Sequence, residues 1–483
     1  MWNAKRTVLL VVIGLLTLTL MSAAGFTAKA PANLTVCMPN WGASTDPGLQ
    51  EAVKDYMEKQ TKTSIKMLAI PMNAYSDKIN VLLASGDIPD VYRVTKAMVN
   101  VQAYTNRGYT AELDKYVRKV KEFRKIDRKY FNYMRVNGKI HAIPMGKESE
   151  KVLWTRKDIL DKYGVKLSST PTTEEFYNEM KKVKDIIPLS FPKFMDNMPF
   201  FYSTFGAYDE FIKNKRGKYY DAFNSPEMKE CLKYVNRLYK EGILDKEFPT
   251  CDNTTLRNNL ISGKAAVNLD YDNRYFYYYG EITRLTPNIK PDLHPLFRLT
   301  GPKGLGGTLN EAVQDAYAVS PKSKAPQAAT DLIAWMYYTP DGLKAVRIGL
   351  PGKHYTIEGN NAKLTPQAES GGMTLDLTQV MKMFVDVDQL NFGFKFPNED
   401  MNSTYLKLTK DISKYSGPKH VVPAGASPTY DRVGPSLVKK RQELALKMIL
   451  GTSSIEEGFK EYEAFFKSIN GDQIIKELNT KKK

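Results

Sequence analysis

Cysteine and histidine, on which much enzyme chemistry is built, are scarce in this chain. Among 483 residues there are three cysteines and four histidines. The histidines, His141, His294, His354 and His420, are scattered. No Gly-x-Ser-x-Gly elbow, phosphate loop, His-Glu-x-x-His helix or cysteine pair at metal spacing occurs. Local support for hydrolase, nucleotide-dependent or zinc chemistry is therefore missing, and no catalytic residue, metal or cofactor is implied. Cys37, Cys231 and Cys251 allow at most one disulfide. Cys37 falls in a predicted strand and Cys231 on the apolar face of a predicted helix, where both read as small buried hydrophobes. Beyond the N-terminus no apolar run is long enough to cross a bilayer. Acidic residues are also in deficit, 53 against 70 Lys and Arg, for a formal charge of +17. Such a field draws acidic ligands or an anionic envelope surface, although lysines spread over helices, as at Lys181, Lys182 and Lys184, also serve simply to solvate a face.

The N-terminus has the form of an export signal: Lys5 and Arg6, an apolar stretch from Val8 to Met21, then small residues at Ser22-Ala23-Ala24 or Ala28-Lys29-Ala30. Residues 1–24, with the boundary open to 32, are left out of the fold, and retention as an uncleaved anchor stays open. Loss of Lys5 and Arg6 lowers the charge from +17 to +15.

The rest reads as alternating strands and helices. Residues 33–38 form a strand, a helix follows Pro47, residues 65–70 form a second strand and 73–84 a second helix. In the run Leu82 to Arg93, LLASGDIPDVYR, Gly86 can take the left-handed cap conformation and Pro89 cannot continue a helix, so a strand opens at Val91. A βαβα start argues for a mostly parallel sheet covered on both faces. Further on, Thr172 with Glu175 forms a capping box, Ser225-Pro226 opens a helix, and Ser454 with Glu457 caps a last helix carrying Phe459, Tyr462 and Phe466 on one face.

Ser85-Gly86-Asp87-Ile88-Pro89-Asp90, with the segments Gly138 to Pro144, Leu153 to Asp158, Leu238 to Asp245, Ser262 to Ala266 and Asp315 to Val319, resembles the extracellular solute-binding proteins of ATP-driven (ABC) importers. The match is to the sugar-binding family 1 group of LipO-like lipoproteins, in order along nearly the whole mature chain. The resemblance implies a type II periplasmic-binding-protein-like fold: two interleaved α/β lobes joined by a hinge, with a ligand cleft between them. Residues 33–148 and about 300–350 would form the first lobe, and 149–299 with about 351–483 the second lobe and its C-terminal helices. It also implies an oligosaccharide ligand, permease subunits in the membrane as partners, a monomer, and an exported protein. Nucleic acid is not among the expected partners. Two features depart from the pattern. The lipid-bearing cysteine that should follow the apolar region is missing, since Cys37 is far from Met21 and preceded by Val36. The acidic loop that holds calcium in some alginate-binding relatives is represented here only by Asp209 and Glu210, with Lys213, Lys215 and Arg216 after them.

A sugar site needs planar side chains that stack on pyranose rings beside polar groups that bond to hydroxyls, on loops at strand ends. Three places satisfy this. Asn40 and Trp41 follow the first strand and are expected to face Asp90 and Arg93. Asp270, Tyr271, Asp272, Arg274 and Tyr275 begin the most aromatic run in the chain, whose alternation of tyrosine with charge is unlike a core stripe. Lys353, His354 and Tyr355 follow a loop bracketed by Gly349 and Gly352. Two other functions stay open: an exported polysaccharide hydrolase, which would need two carboxylates across a cleft, and a peptide-binding or sensor protein of the same fold.

Overall fold

A computed structural model describes residues 31–40, 46–146, 150–193, 195–310, 313–359, 361–371 and 426–480, with residues 373, 404, 407, 412–418 and 422 between. The residues read as an export signal, and Trp41, lie outside the described residues.

The first lobe is built on five strands. Strands β1 (Ala32–Asn40), β2 (Thr63–Pro71) and β3 (Val91–Thr95) are parallel; β4 (Ile143–Pro144) lies at one edge. The strand between β3 and β4, Asp315–Val319, comes from far along the chain and runs antiparallel to both. Side-chain alternation divides the core in two. Val36, Val91, Tyr317 and Val319 pack on the helix Pro326–Tyr338 through Leu332, Ile333 and Met336. Cys37, Tyr92, Ala316 and Ala318 pack on the opposite face against Tyr75, Ile79, Leu83 and Val101. Burial on both faces explains why β3 is apolar apart from Arg93 and Thr95. The helix between β2 and β3, Met72–Ser85, stops at Gly86, whose φ of 86° is the left-handed cap that the sequence requires.

The second lobe holds β5 (Lys151–Arg156), β6 (Ile187–Ser190), β7 (Ala265–Tyr271) and β8 (Leu293–Leu296), in the order β8-β5-β7-β6. Strands β6 and β7 are parallel; β5 is antiparallel to β7 and β8. Leu153, Leu189, Val267 and Leu269 face the helix Pro226–Lys240 and the C-terminal helices Pro428–Leu450, Ile455–Ser468 and Gly471–Asn479. Val152 and Trp154 face Leu260, Tyr275, Tyr278 and Ile282 on the other side. The capping boxes at Thr172 and Ser454 form as expected.

This is the type II two-lobed α/β arrangement. One boundary differs from the sequence reading: the hairpin Tyr355–Glu358 and Asn361–Leu364 belongs with the first lobe, because Tyr355 and Ala362 are buried in its core and Ala368 and Met373 pack on Leu49. The chain is back in the second lobe at Tyr415. It therefore passes between lobes at 145–150, between Gly307 and Val313, and again between 373 and 415.

Candidate functional site

Strand direction fixes where a ligand can sit, since open α/β sheets bind at the carboxyl ends of their strands. In the first lobe those ends are Asn40, Pro71 and Thr95; in the second they are Ser190 and Tyr271. Thr95 pairs with Asp315, and the Met145 amide donates to the Asp315 carbonyl at 2.9 Å. Five residues later the Glu150 amide donates to Asp272 Oδ1 at 3.0 Å, and the Asp272 amide returns to the Glu150 carbonyl at 2.8 Å. An extended chain from 145 to 150 spans at most about 17 Å. The carboxyl ends of both sheets therefore stand on either side of this crossing, and the gap between them is the candidate cleft.

The second lobe supplies the better-defined wall. Tyr271 ends β7 partly exposed, with Lys151 Nζ of the neighbouring strand 3.6 Å from its ring centroid and the Arg274 guanidinium carbon at 6.0 Å. Below it, Asp270 is 1% exposed. Its carboxylate accepts from Arg257 Nε at 2.9 Å, the Tyr278 hydroxyl at 2.7 Å and the Tyr271 amide at 2.8 Å. Burial pushes this carboxyl up, yet Arg257, with Lys151 and Arg274 further off, holds it below the usual carboxylate range. Trp154 Nε1 donates to the Tyr271 carbonyl at 2.9 Å. The Tyr271 backbone is thus held from two sides, and its ring, with Lys151 over it, stays partly exposed.

Of the second group of predicted residues, Tyr271 and Arg274 stand at this wall, and the other three hold it up. Asp270 is committed to Arg257, and Asp272 is fully buried and bonded to the Glu150 backbone. Tyr275 begins the helix Tyr275–Leu285 and packs on Trp154 with centroids 6.0 Å apart. The tyrosine run that looked unlike a core stripe is in fact helical: Tyr275, Tyr278 and Ile282 recur on one buried face.

The first group is split. Asn40 lies at the carboxyl end of β1, where only its backbone is described. Asp90 precedes β3 at the opposite end; since Val36 pairs with Val91, it is roughly 16 Å from the Thr95 level of the sheet. There its Oδ2 accepts from the Thr35 amide at 2.9 Å. Arg93 is 2% exposed and forms a 2.5 Å ion pair with Asp315 under the crossing strands, so its guanidinium is not offered to the cleft.

In the third group His354 and Tyr355 are buried, His354 beside Asp46 and Leu49 at the start of the helix Pro47–Thr61. His354 is 1% exposed, and its Nδ1 accepts from the Leu350 amide at 3.1 Å. Burial depresses its pKa, favouring the neutral ring. Tyr355 lies in the first lobe's core. The glycine before them serves packing, for a Cβ on Gly349 would lie 2.4 Å from the His354 ring.

The family model for bacterial extracellular solute-binding proteins matches residues 42–340. The chain belongs to that family. This solute-binding protein is 24% identical to Lipoprotein LipO of Bacillus subtilis (strain 168) over 458 residues, covering 88% of this chain and 87% of that one. It is 22% identical to the polygalacturonan/rhamnogalacturonan-binding protein YtcQ of the same organism, covering 89% and 88%. Among solved structures it is similar to the alginate-binding protein AlgQ2 without calcium ion, with a TM-score of 0.69, 18% identity and coverage of 94% of this chain and 99% of that one. The sequence reading missed Lys151 and Arg257. Lys151 meets Tyr271 only through the antiparallel register of β5 and β7, and that pairing across 120 residues leaves no local pattern.

Proposed function

We propose that this solute-binding protein closes its lobes on an oligosaccharide and delivers it to the permease of an ABC importer on the outer face of the cell membrane. The observation that carries the reading is the wall at Tyr271. A ring fixed through its backbone and flanked by Lys151 and Arg274 suits a pyranose face that carries a carboxylate. An acidic sugar also fits the positive charge and the names of two similar proteins, which are given as polygalacturonan/rhamnogalacturonan-binding and alginate-binding. Asn40 and Trp41 are proposed as the facing contacts from the first lobe. Closure would follow from a ligand touching both walls, the hinge being the crossing strands.

Binding is favoured over turnover because Asp270 and Asp272 are committed to Arg257 and to the Glu150 backbone. The test is a melting-temperature panel on the mature protein with neutral oligosaccharides, uronate oligosaccharides and short peptides. A ligand that binds only the native state at 100 times its Kd adds about 2.7 kcal/mol of stability. A uronate-induced rise that disappears in Tyr271→Ala supports the reading. A rise with peptides alone, or the appearance of cleaved sugar, overturns it.

A further inference from the structure

Residues 107–139 carry eleven lysines and arginines against four acidic residues, and all eleven cations are exposed. Lys121, Lys129, Arg135 and Lys139 have carboxylate partners at Glu122, Asp127, Asp114 and Glu112. Arg107, Lys115, Arg118, Lys119, Arg124, Lys125 and Arg128 form no ion pair among the described residues. Leu113, Val120, Phe123, Phe131 and Met134 are buried in the lobe and Tyr133 is the exposed large apolar side chain of the segment, so cations predominate on its outer surface.

The shape of this surface is set by the helix Pro326–Tyr338, which the segment follows. At one end Pro326 lines a cavity of about 640 Å³ with Lys115 and Arg118. At the other, the Phe123 ring meets the Tyr338 ring with centroids 4.7 Å apart. Thirteen helical residues make the ridge about 20 Å long. The cavity is preformed and mixed in character: His141 is buried in it with Nδ1 3.0 Å from the Thr110 hydroxyl, Ser320 and Ser323 add hydroxyls, and the carboxylates in its lining, Glu112 and Asp114, are paired with Lys139 and Arg135. Ser320 follows Val319, at the end of its strand away from Asp315 and the crossing. The site is therefore separate from the cleft.

We propose that this flank of the first lobe is a second binding surface, for an extended anionic polysaccharide whose chain lies along the ridge with a sugar unit in the Thr110–His141 cavity. The narrow strip and the preformed cavity fit a linear polymer. A bilayer surface is the weaker fit, because membrane-surface helices add an apolar face to their cations and this segment turns its apolar face inward. The surface would hold the protein near polymer in the envelope, whatever the cleft transports.

The test is binding of the full mature chain to polygalacturonate across a salt series, with phosphatidylglycerol vesicles in parallel. The variant carries Arg118→Glu, Lys119→Glu, Arg124→Glu and Lys125→Glu; the milder pair Lys119→Gln and Lys125→Gln serves if that variant fails to fold. The wild type should bind the polymer at low salt and be released at high salt. With four cations removed, the slope of log K against log salt should flatten by about three and low-salt affinity should fall at least about tenfold; the milder pair should give about half the change in slope. The flank variants, which leave the cleft residues untouched, should keep the melting-temperature rise with short uronate oligosaccharides that the cleft reading expects, so failure of the cleft reading and failure of this one are distinguishable. Equal polymer binding by wild type and variant, or binding to vesicles without binding to polymer, overturns the proposal.

Discussion

Asp270→Asn separates support of the cleft wall from contact with the ligand. The substitution keeps the side chain's shape and removes its charge and one acceptor oxygen. Arg257, whose side chain is only 21% exposed, would lose the carboxylate 2.9 Å away, and the Tyr278 hydroxyl and Tyr271 amide would compete for what remains. Breaking one side of a buried ion pair costs about 3 kcal/mol or more, because the remaining charge stays desolvated. For a lobe of this size that corresponds to a melting temperature lower by about 6–12 °C. Adding Arg257→Met should restore part of the loss, since removing both charges strands neither. Tyr271→Ala should behave in the opposite way, with little change in melting temperature and a clear loss of ligand affinity. The assay is thermal and urea unfolding of the ligand-free single and double variants, with ligand titration of each. An Asp270→Asn protein that melts within a degree or so of wild type, or a double variant that loses the sum of the single losses, refutes the reasoning.

Further outcomes follow from other residues. Gly349→Ala should destabilise the first lobe by about 2 kcal/mol in urea unfolding, since φ is 93° and the new Cβ would meet the His354 ring. His141 and His354 have pKa values pulled by burial below the ordinary 6.5, so the unfolded chain takes up protons that the native state resists. Their contribution to stability should fall as pH drops below about 6.5, and His141→Phe should flatten that part of the urea-stability profile. Glu477 is held down to about 2 by the Ser427 hydroxyl and the Thr429 amide at the start of the helix Pro428–Leu450. Its contribution is present above the ordinary 4.5 and lost as pH falls towards 2. In an acid titration followed by circular dichroism, Glu477→Gln should therefore differ from wild type at neutral pH and converge with it near pH 2.

Features that depend on a few neighbouring residues were legible in the sequence. The stop at Gly86, the capping boxes at Thr172 and Ser454, the start at Pro226 and the stripe of Phe459, Tyr462 and Phe466 rest on local sterics and hydrogen bonds. The order of family-like segments carried the two-lobed fold. The site was legible only in part, because a charged residue looks the same in sequence whether it meets solvent or a buried partner. Arg93 reads in sequence as a ligand contact, but its carboxylate partner is 222 residues away. Asp90 reads as a neighbour of Asn40 because both flank neighbouring strands; the strands are parallel, which puts the start of one and the end of the other at opposite ends of the sheet. In the tyrosine run, Tyr277 and Tyr279 masked the helical spacing of Tyr275, Tyr278 and Ile282.

The strand Asp315–Val319 bears on how the protein is made. It lies between β3 and β4 in the first sheet, and both of those neighbours emerge from the ribosome long before it. Until roughly two-thirds of the chain has been synthesised, the first sheet has a gap between β3 and its edge strand β4, and Arg93 has no Asp315. Such long-range closure makes folding slow. For a member of an extracellular family, slow folding is useful: a first lobe that stays open while the rest is made remains threadable, and locks only once the returning strand has crossed.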